Sequence, residues 1–228
     1  MIDAHARTEI HFEMICKETL AGKLGGLGLW QGSGSIEPLI GGMTNRNYLV
    51  DPNGAALVAR VCGELPRLGI DRRNEADCQT IAAHLGLAPE LVHQEDGLLV
   101  SRHIPGQTLG QDDVIQPTVL ATVMKAVKQL HDAWASVASH LLYFCPFQTI
   151  RSYAQSAKDL GASLPDSFDA MVNDACNLER MVRPFRPVLC HNDLLPANLI
   201  MEGERIWIID WEYAGMGHPF FDLASLST

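Results

Sequence analysis

The 228 residues are 47% hydrophobic and 19% charged, with a formal net charge of -10. Globular values of this kind fit one large domain or two small lobes, and the acidic balance without a basic patch argues against nucleic acid as a partner. Six scattered cysteines without a C-x-x-C pair predict reduced thiols, and no apolar run or leader suits a membrane, so a cytoplasmic protein with no membrane partner is expected.

The chain opens with a helical pattern over Thr8 to Leu24, which Gly25-Gly26-Leu27-Gly28 breaks. Strand-like runs follow at Ile36 to Ile40, Asn47 to Val50 and Ala56 to Val61, with glycine-rich and Asp51-Pro52-Asn53-Gly54 turns between them. Asp71 to Leu85 reads as a helix, then Glu90 to His93 and Leu98 to His103 as strands, with Ile104-Pro105-Gly106 as a hinge. Beyond it lie helical patterns at Thr118 to Trp134, Ile150 to Leu160 and Pro165 to Met181. A strand, Val188 to Cys190, and a hairpin, Asn198 to Met201 with Arg205 to Ile209, come next. The order predicts an α+β fold of two lobes, residues 1–103 strand-rich and 104–228 mostly helical, with a ligand cleft between them.

The densest chemistry lies in His191-Asn192-Asp193-Leu194-Leu195-Pro196-Ala197-Asn198, followed by the hairpin that ends at Asp210. An Asp and an Asn five residues apart, with a second Asp returned beside them, supply what phosphoryl transfer requires. One side chain takes or orients the acceptor's hydroxyl proton, and the others hold magnesium through hard oxygen atoms. Asp193 is therefore the candidate base, and Asn198 and Asp210 the candidate metal ligands. Asp and Asn also cap loops, and only the combination with the hairpin favours chemistry. His191 is read as shaping the loop and Cys190 as a core thiol.

A nucleotide needs contacts from the first half. Gly41, Gly42, Thr44, Asn45 and Asn47 lie in a turn between strands, where free amides can approach phosphates, although such a turn is also an ordinary hairpin. Arg60 is a lone charge in an apolar strand. It either faces solvent or projects into the cleft towards the phosphates, with Glu75 on the next helix orienting it. Ser101 and His103, on the last strand before the hinge, complete the nucleotide candidates.

Gly41 to Tyr48, Ala59-Arg60-Val61, Asp71 to Glu75, His191 to Asn198 and Ile209-Asp210-Trp211-Glu212-Tyr213-Ala214-Gly215, in this order, resemble choline- and ethanolamine-kinase-like members of the aminoglycoside phosphotransferase superfamily. The resemblance implies a bilobal protein-kinase-like fold, ATP, magnesium and a small hydroxylated acceptor such as choline, with thiamine or an aminoglycoside as alternatives. A nucleotide-binding module without catalysis is the reading of another class. Asp222 matches a residue that ties the catalytic loop together, and Glu212 and Tyr213 either face the acceptor's cation or pack. Such kinases continue beyond the Phe221-Asp222-Leu223-Ala224 segment with helices that wall the acceptor site. A C-terminally incomplete lobe is therefore expected, with Trp211, Tyr213, Phe220 and Phe221 in an exposed apolar patch and a tendency to form homo-oligomers.

Overall fold

The computed structural model describes residues 17–39, 45–52, 54–62, 69–133 and 140–227. Five strands form one antiparallel sheet in the order β1-β2-β3-β5-β4: β1 (Ser35–Leu39), β2 (Asn45–Asp51), β3 (Leu57–Cys62), β4 (Leu91–Glu95) and β5 (Leu98–Arg102). The period of two decides its faces. Tyr48 and Val50, Leu57, Ala59 and Val61, and Leu98 and Val100 point one way, into an apolar cluster closed by Leu20 and Leu24 of α1 (Lys17–Gly26). The alternate positions, Asn47, Val58, Arg60, Leu99 and Ser101, share the opposite face, since Asn47 pairs with Arg60, Arg60 with Leu99 and Val58 with Ser101.

Helix α2 (Arg72–His84) starts where the Asp71 side chain accepts a hydrogen bond from the Asn74 amide at 2.8 Å, and stops at Gly86, whose φ of 73° suits glycine. Its inner residues Cys78 and Ala82 join a second, larger cluster with Leu130, Leu189, Leu194, Leu199, Ile208 and Trp211. That cluster is built from α4 (Pro117–Asp132), the pair β7 (Val188–Cys190) and β10 (Gly215–Gly217), and the sheet β6-β8-β9. The latter comprises β6 (Gln107–Thr108), β8 (Leu199–Glu202) and β9 (Arg205–Ile208). The remaining helices are α3 (Gln111–Val114), α5 (Pro146–Asp159), α6 (Phe168–Met181) and α7 (Pro219–Leu226). None of the helices is long and apolar enough to cross a membrane, among the described residues.

The helices and strands expected from the sequence form within a few residues of their expected ends, apart from Thr8 to Cys16, Ile40 and Trp134, which lie outside the described residues. Three short elements escape a reading by periodicity. β6 has two residues and exists through its pairing with β8, α3 has four, and β10 is Gly-Met-Gly. Gly215 is required there because a side chain would place its first carbon 2.6 Å from the Leu142 carbonyl oxygen. The expected apolar patch is corrected at Trp211, which is fully buried and donates through Nε1 to the Ile208 carbonyl at 3.0 Å. Phe220 is 69% exposed, whereas Tyr213 and Phe221 are half-buried.

Candidate active site

The loop after β7 is held from below. Asp222, fully buried on α7, accepts the backbone amides of His191 at 3.1 Å and Asn192 at 2.7 Å, and His131 of α4 lies 2.9 Å from the same carboxylate. His191 is also fully buried. Its Nε2 meets the Ile209 carbonyl at 3.0 Å and its ring stands edge-on to Trp211, so it holds the loop against the hairpin and does not face the cleft. Cys190 is buried, and desolvation followed by the Asp222 charge pushes its thiol far above the ordinary range. It is a core thiol.

These anchors present Asp193 half-buried at the cleft. The Asn198 side-chain amide donates to the Asp193 carbonyl at 2.8 Å and to its carboxylate at 3.1 Å, fixing one to the other across the short 3-10 turn Pro196–Asn198. The Ile209 amide donates to the Asn198 carbonyl at 2.9 Å, which brings the end of β9 alongside. Asn192 and Asp210 both adopt left-handed backbone, with φ of 64° and 68°. Asn and Asp tolerate that region better than other residues with side chains, and it costs free energy that the surrounding fold must supply. Burial chiefly holds the Asp193 carboxyl above the usual carboxylate range. The nearby Asp210 and Glu212 charges add to it, and His191 and the Asn198 amide oppose it.

Facing this loop is Arg60, on the cleft side of the five-stranded sheet. Its Nη1 lies 2.5 Å from Glu75 Oε1 and 3.0 Å from Asp210 Oδ1. Burial works against the Arg60 charge, but Asp210 and Glu75 outweigh it and hold the guanidinium's pKa up. The other oxygen of Glu75 receives Arg72 Nη1 at 2.7 Å, and Arg72 continues to Glu212 at 3.3 Å and to Asn45 Oδ1 at 2.8 Å. Asn45 Nδ2 closes the ring by donating to Glu212 at 3.0 Å.

Asp193, Asn198, Asp210, Arg60 and Glu75 thus converge at one end of the cleft. Gly41, Gly42 and Thr44 lie outside the described residues. The Asn45 side chain is engaged with Arg72 and Glu212, while Asn47, cross-strand from Arg60, has a buried amide oxygen that accepts no hydrogen bond. Ser101 shares Arg60's face of the sheet nearer the hinge, and the His103 amide donates to the Ala56 carbonyl at 3.0 Å.

Glu212 is 8% exposed and Tyr213 half-buried. Both line a cleft of about 310 Å³ with Asp71, Asn74, Tyr143 and Tyr153. Burial first, then a hydrogen bond with Tyr153, pushes the Tyr213 phenol's pKa upward. The sequence reading gave no role to Arg72, Asn74 or Tyr153. Arg72 did carry a signal, because a cation in the first turn opposes the helix dipole and needs carboxylates nearby. Asn74 bridges from α2 to the Ala214 carbonyl and the Leu142 amide, at 2.7 and 2.8 Å. Contacts that long in sequence leave no local pattern.

Known proteins resemble the chain in sequence and in fold. Protein LicA of Haemophilus influenzae is 28% identical over 197 residues, covering 82% of this chain and 56% of LicA; the chain thus spans little more than half of that relative's length. Among solved structures, a choline/ethanolamine kinase family protein from Mesorhizobium loti superposes with a TM-score of 0.74 at 30% identity, over 92% of this chain and 69% of that one. A structure of LicA in complex with AMP gives 0.70 at 26%, over 92% and 72%. Residues 35–228 match the family described as the phosphotransferase enzyme family. The chain belongs to that family and carries its kinase-like fold.

Proposed function

We propose that this protein transfers the γ-phosphoryl group of ATP, with magnesium, to the hydroxyl of a small amino alcohol such as choline or ethanolamine. The observation that carries this reading is the convergence of Asp193, Asn198 and Asp210 opposite Arg60 on the cleft face of the sheet. Kinship with choline/ethanolamine kinase family proteins, and with a LicA solved with AMP, supports the nucleotide and the acceptor class.

Asp193 is the base. As the acceptor oxygen forms its bond to the γ-phosphorus, the hydroxyl proton passes to the Asp193 carboxylate and the bond to the β–γ bridging oxygen breaks, releasing ADP. The Asn198 amide holds that carboxylate in place. Arg60, aimed by Glu75, meets the phosphates from the sheet side.

The residues present fit a hard cation. Asp210 Oδ1 is a buried anionic oxygen that meets Arg60 at 3.0 Å as an ion pair without hydrogen-bond geometry, and Asn198 spends its amide nitrogen on Asp193, which leaves its oxygen for another partner. Asp210 and Asn198 would hold magnesium, which when bound neutralises the charge on the phosphates. For the acceptor, the cleft lined by Tyr143, Tyr153 and Tyr213 with Glu212 and Asp71 offers aromatic faces and carboxylates, the chemistry that takes up an ammonium group.

The test is ADP release with Mg·ATP against choline, ethanolamine, thiamine and an aminoglycoside. Choline or ethanolamine is expected to give the highest specificity. ADP release with none of the four, in a folded chain that binds Mg·ATP, would reject the acceptor class, and far greater efficiency with thiamine or an aminoglycoside would replace it.

A further inference from the structure

We propose that Arg72 is a positioning residue that couples the nucleotide side of the cleft to its acceptor side; the proposal rests on the kinase reading above. Arg72 is 8% exposed, and its guanidinium joins three parts of the chain that the chemistry keeps separate. Nη1 is shared between Glu75 at 2.7 Å and Glu212 at 3.3 Å, and Nη2 reaches Asn45 at 2.8 Å. Glu75 lies on α2, Asn45 opens β2 directly after the glycine-containing turn, and Glu212 lines the acceptor cleft two residues beyond Asp210.

The carboxylate of Glu75 is the pivot. One of its oxygens carries Arg60 and the other carries Arg72, so the position of Arg72 fixes how Glu75 is turned and therefore where Arg60 points. Charges alternate along the whole line: Asp210, Arg60, Glu75, Arg72, Glu212. Glu75 and Glu212 are 0% and 8% exposed and only Asp210 at the end reaches water appreciably, so the middle of this line is weakly screened and couples its two ends. A planar fork is needed because one side chain must meet two carboxylates and an amide in fixed directions. An ammonium has three donors on one nitrogen and cannot occupy the two positions from which Nη1 and Nη2 make these contacts. An arginine serving stability alone would leave the nucleotide affinity of the folded protein unchanged; a positioning arginine acts on that affinity through Arg60.

The experiment is calorimetric titration of the full chain with magnesium and a non-hydrolysable ATP analogue, for Arg72→Lys and Glu212→Gln, each alone and combined with Arg60→Ala. Arg72→Lys is expected to weaken binding about fivefold or more, the lower end of ordinary site-to-site coupling. In the Arg60→Ala background the same change should cost less than about twofold, the non-additivity of residues acting in one line. Glu212→Gln leaves Arg72 on Glu75 without stranding a buried charge, so it tests the same coupling from the acceptor end even where Arg72→Lys does not fold. It too should weaken nucleotide binding, and only with Arg60 present. Unchanged affinity in the folded variants, or equal losses in both backgrounds, would overturn the proposal. A parent chain that binds no Mg·nucleotide would overturn the kinase reading itself and this coupling with it, a result distinct from a parent that binds and variants that bind equally well.

Discussion

Helix α2 sets Cys78 and Ala82 into the larger apolar cluster and Arg72 and Glu75 into the buried charge line. Helices α5 and α6 are amphipathic too, yet neither has a fully buried residue, and Leu160, Met171, Leu178 and Met181 are 57–76% exposed. What joins α5 to α6 includes ion pairs at the surface, Arg151 with Glu179 and Lys158 with Asp169. Exposed pairs of that kind are screened by water and hold the two helices only weakly. Amphipathic spacing thus establishes that a helix forms; whether its apolar side is covered depends on what packs against it.

The largest effect that would sharpen this contrast lies at the anchored end. Asp193→Asn keeps the shape but removes the proton acceptor, so turnover measured by ADP release should fall by about 10²–10⁴-fold while ATP binding survives. Near-normal turnover would end the assignment. The same substitution carries a stability signature in the metal-free protein. Because the folded-state pKa of Asp193 is raised, the folded state binds its proton more tightly than the unfolded chain does. That contribution favours the fold at low pH and is lost as pH climbs from the unfolded pKa through the raised folded one. Melting curves across the acidic range should therefore show Asp193→Asn gaining on the parent as pH rises.

Next comes the core itself. Leu130→Ala, at a fully buried position in the larger cluster, should cost about 2–5 kcal/mol in denaturant titration. A smaller effect is expected at the nucleotide. Arg60→Ala should weaken ATP binding about tenfold, as for a lost charge-assisted hydrogen bond, and Arg60→Lys less, since lysine keeps the charge. The smallest effect is expected on the unanchored pair. Met181→Ser should change stability by no more than about 0.5 kcal/mol, and the amides of α5 and α6 should exchange hydrogen faster than those of α2 and α4. A large destabilisation by Met181→Ser, or equal protection of both regions, would break the comparison.

What was legible in the sequence follows the range of the physics involved. The alternation Leu57, Ala59, Val61 against Val58 and Arg60 is local, and it yielded the strand and the face that Arg60 shares, while the choice between solvent and cleft for that face came from the fold. The spacing of Asp193 and Asn198 is local too, as is the hairpin that returns Asp210. Arg72 and Glu212, 140 residues apart, meet only after the fold has formed, and no period announces them. Trp211 was misplaced for the same reason. An aromatic between Asp210 and Glu212, near the end of the chain, looks like part of an uncovered apolar patch until its edge contact with His191 and its place in the larger apolar cluster are known.

The left-handed backbone at Asp210 has a consequence for anyone probing this site genetically. Removing its carboxylate with alanine also removes one of the few side chains that tolerate that conformation, so the measured loss mixes charge with backbone geometry. Asparagine keeps the geometry and drops the charge, whereas glycine drops the side chain and relieves the backbone. Only by comparing the two can an experimenter assign the defect to the metal ligand or to the turn that carries it.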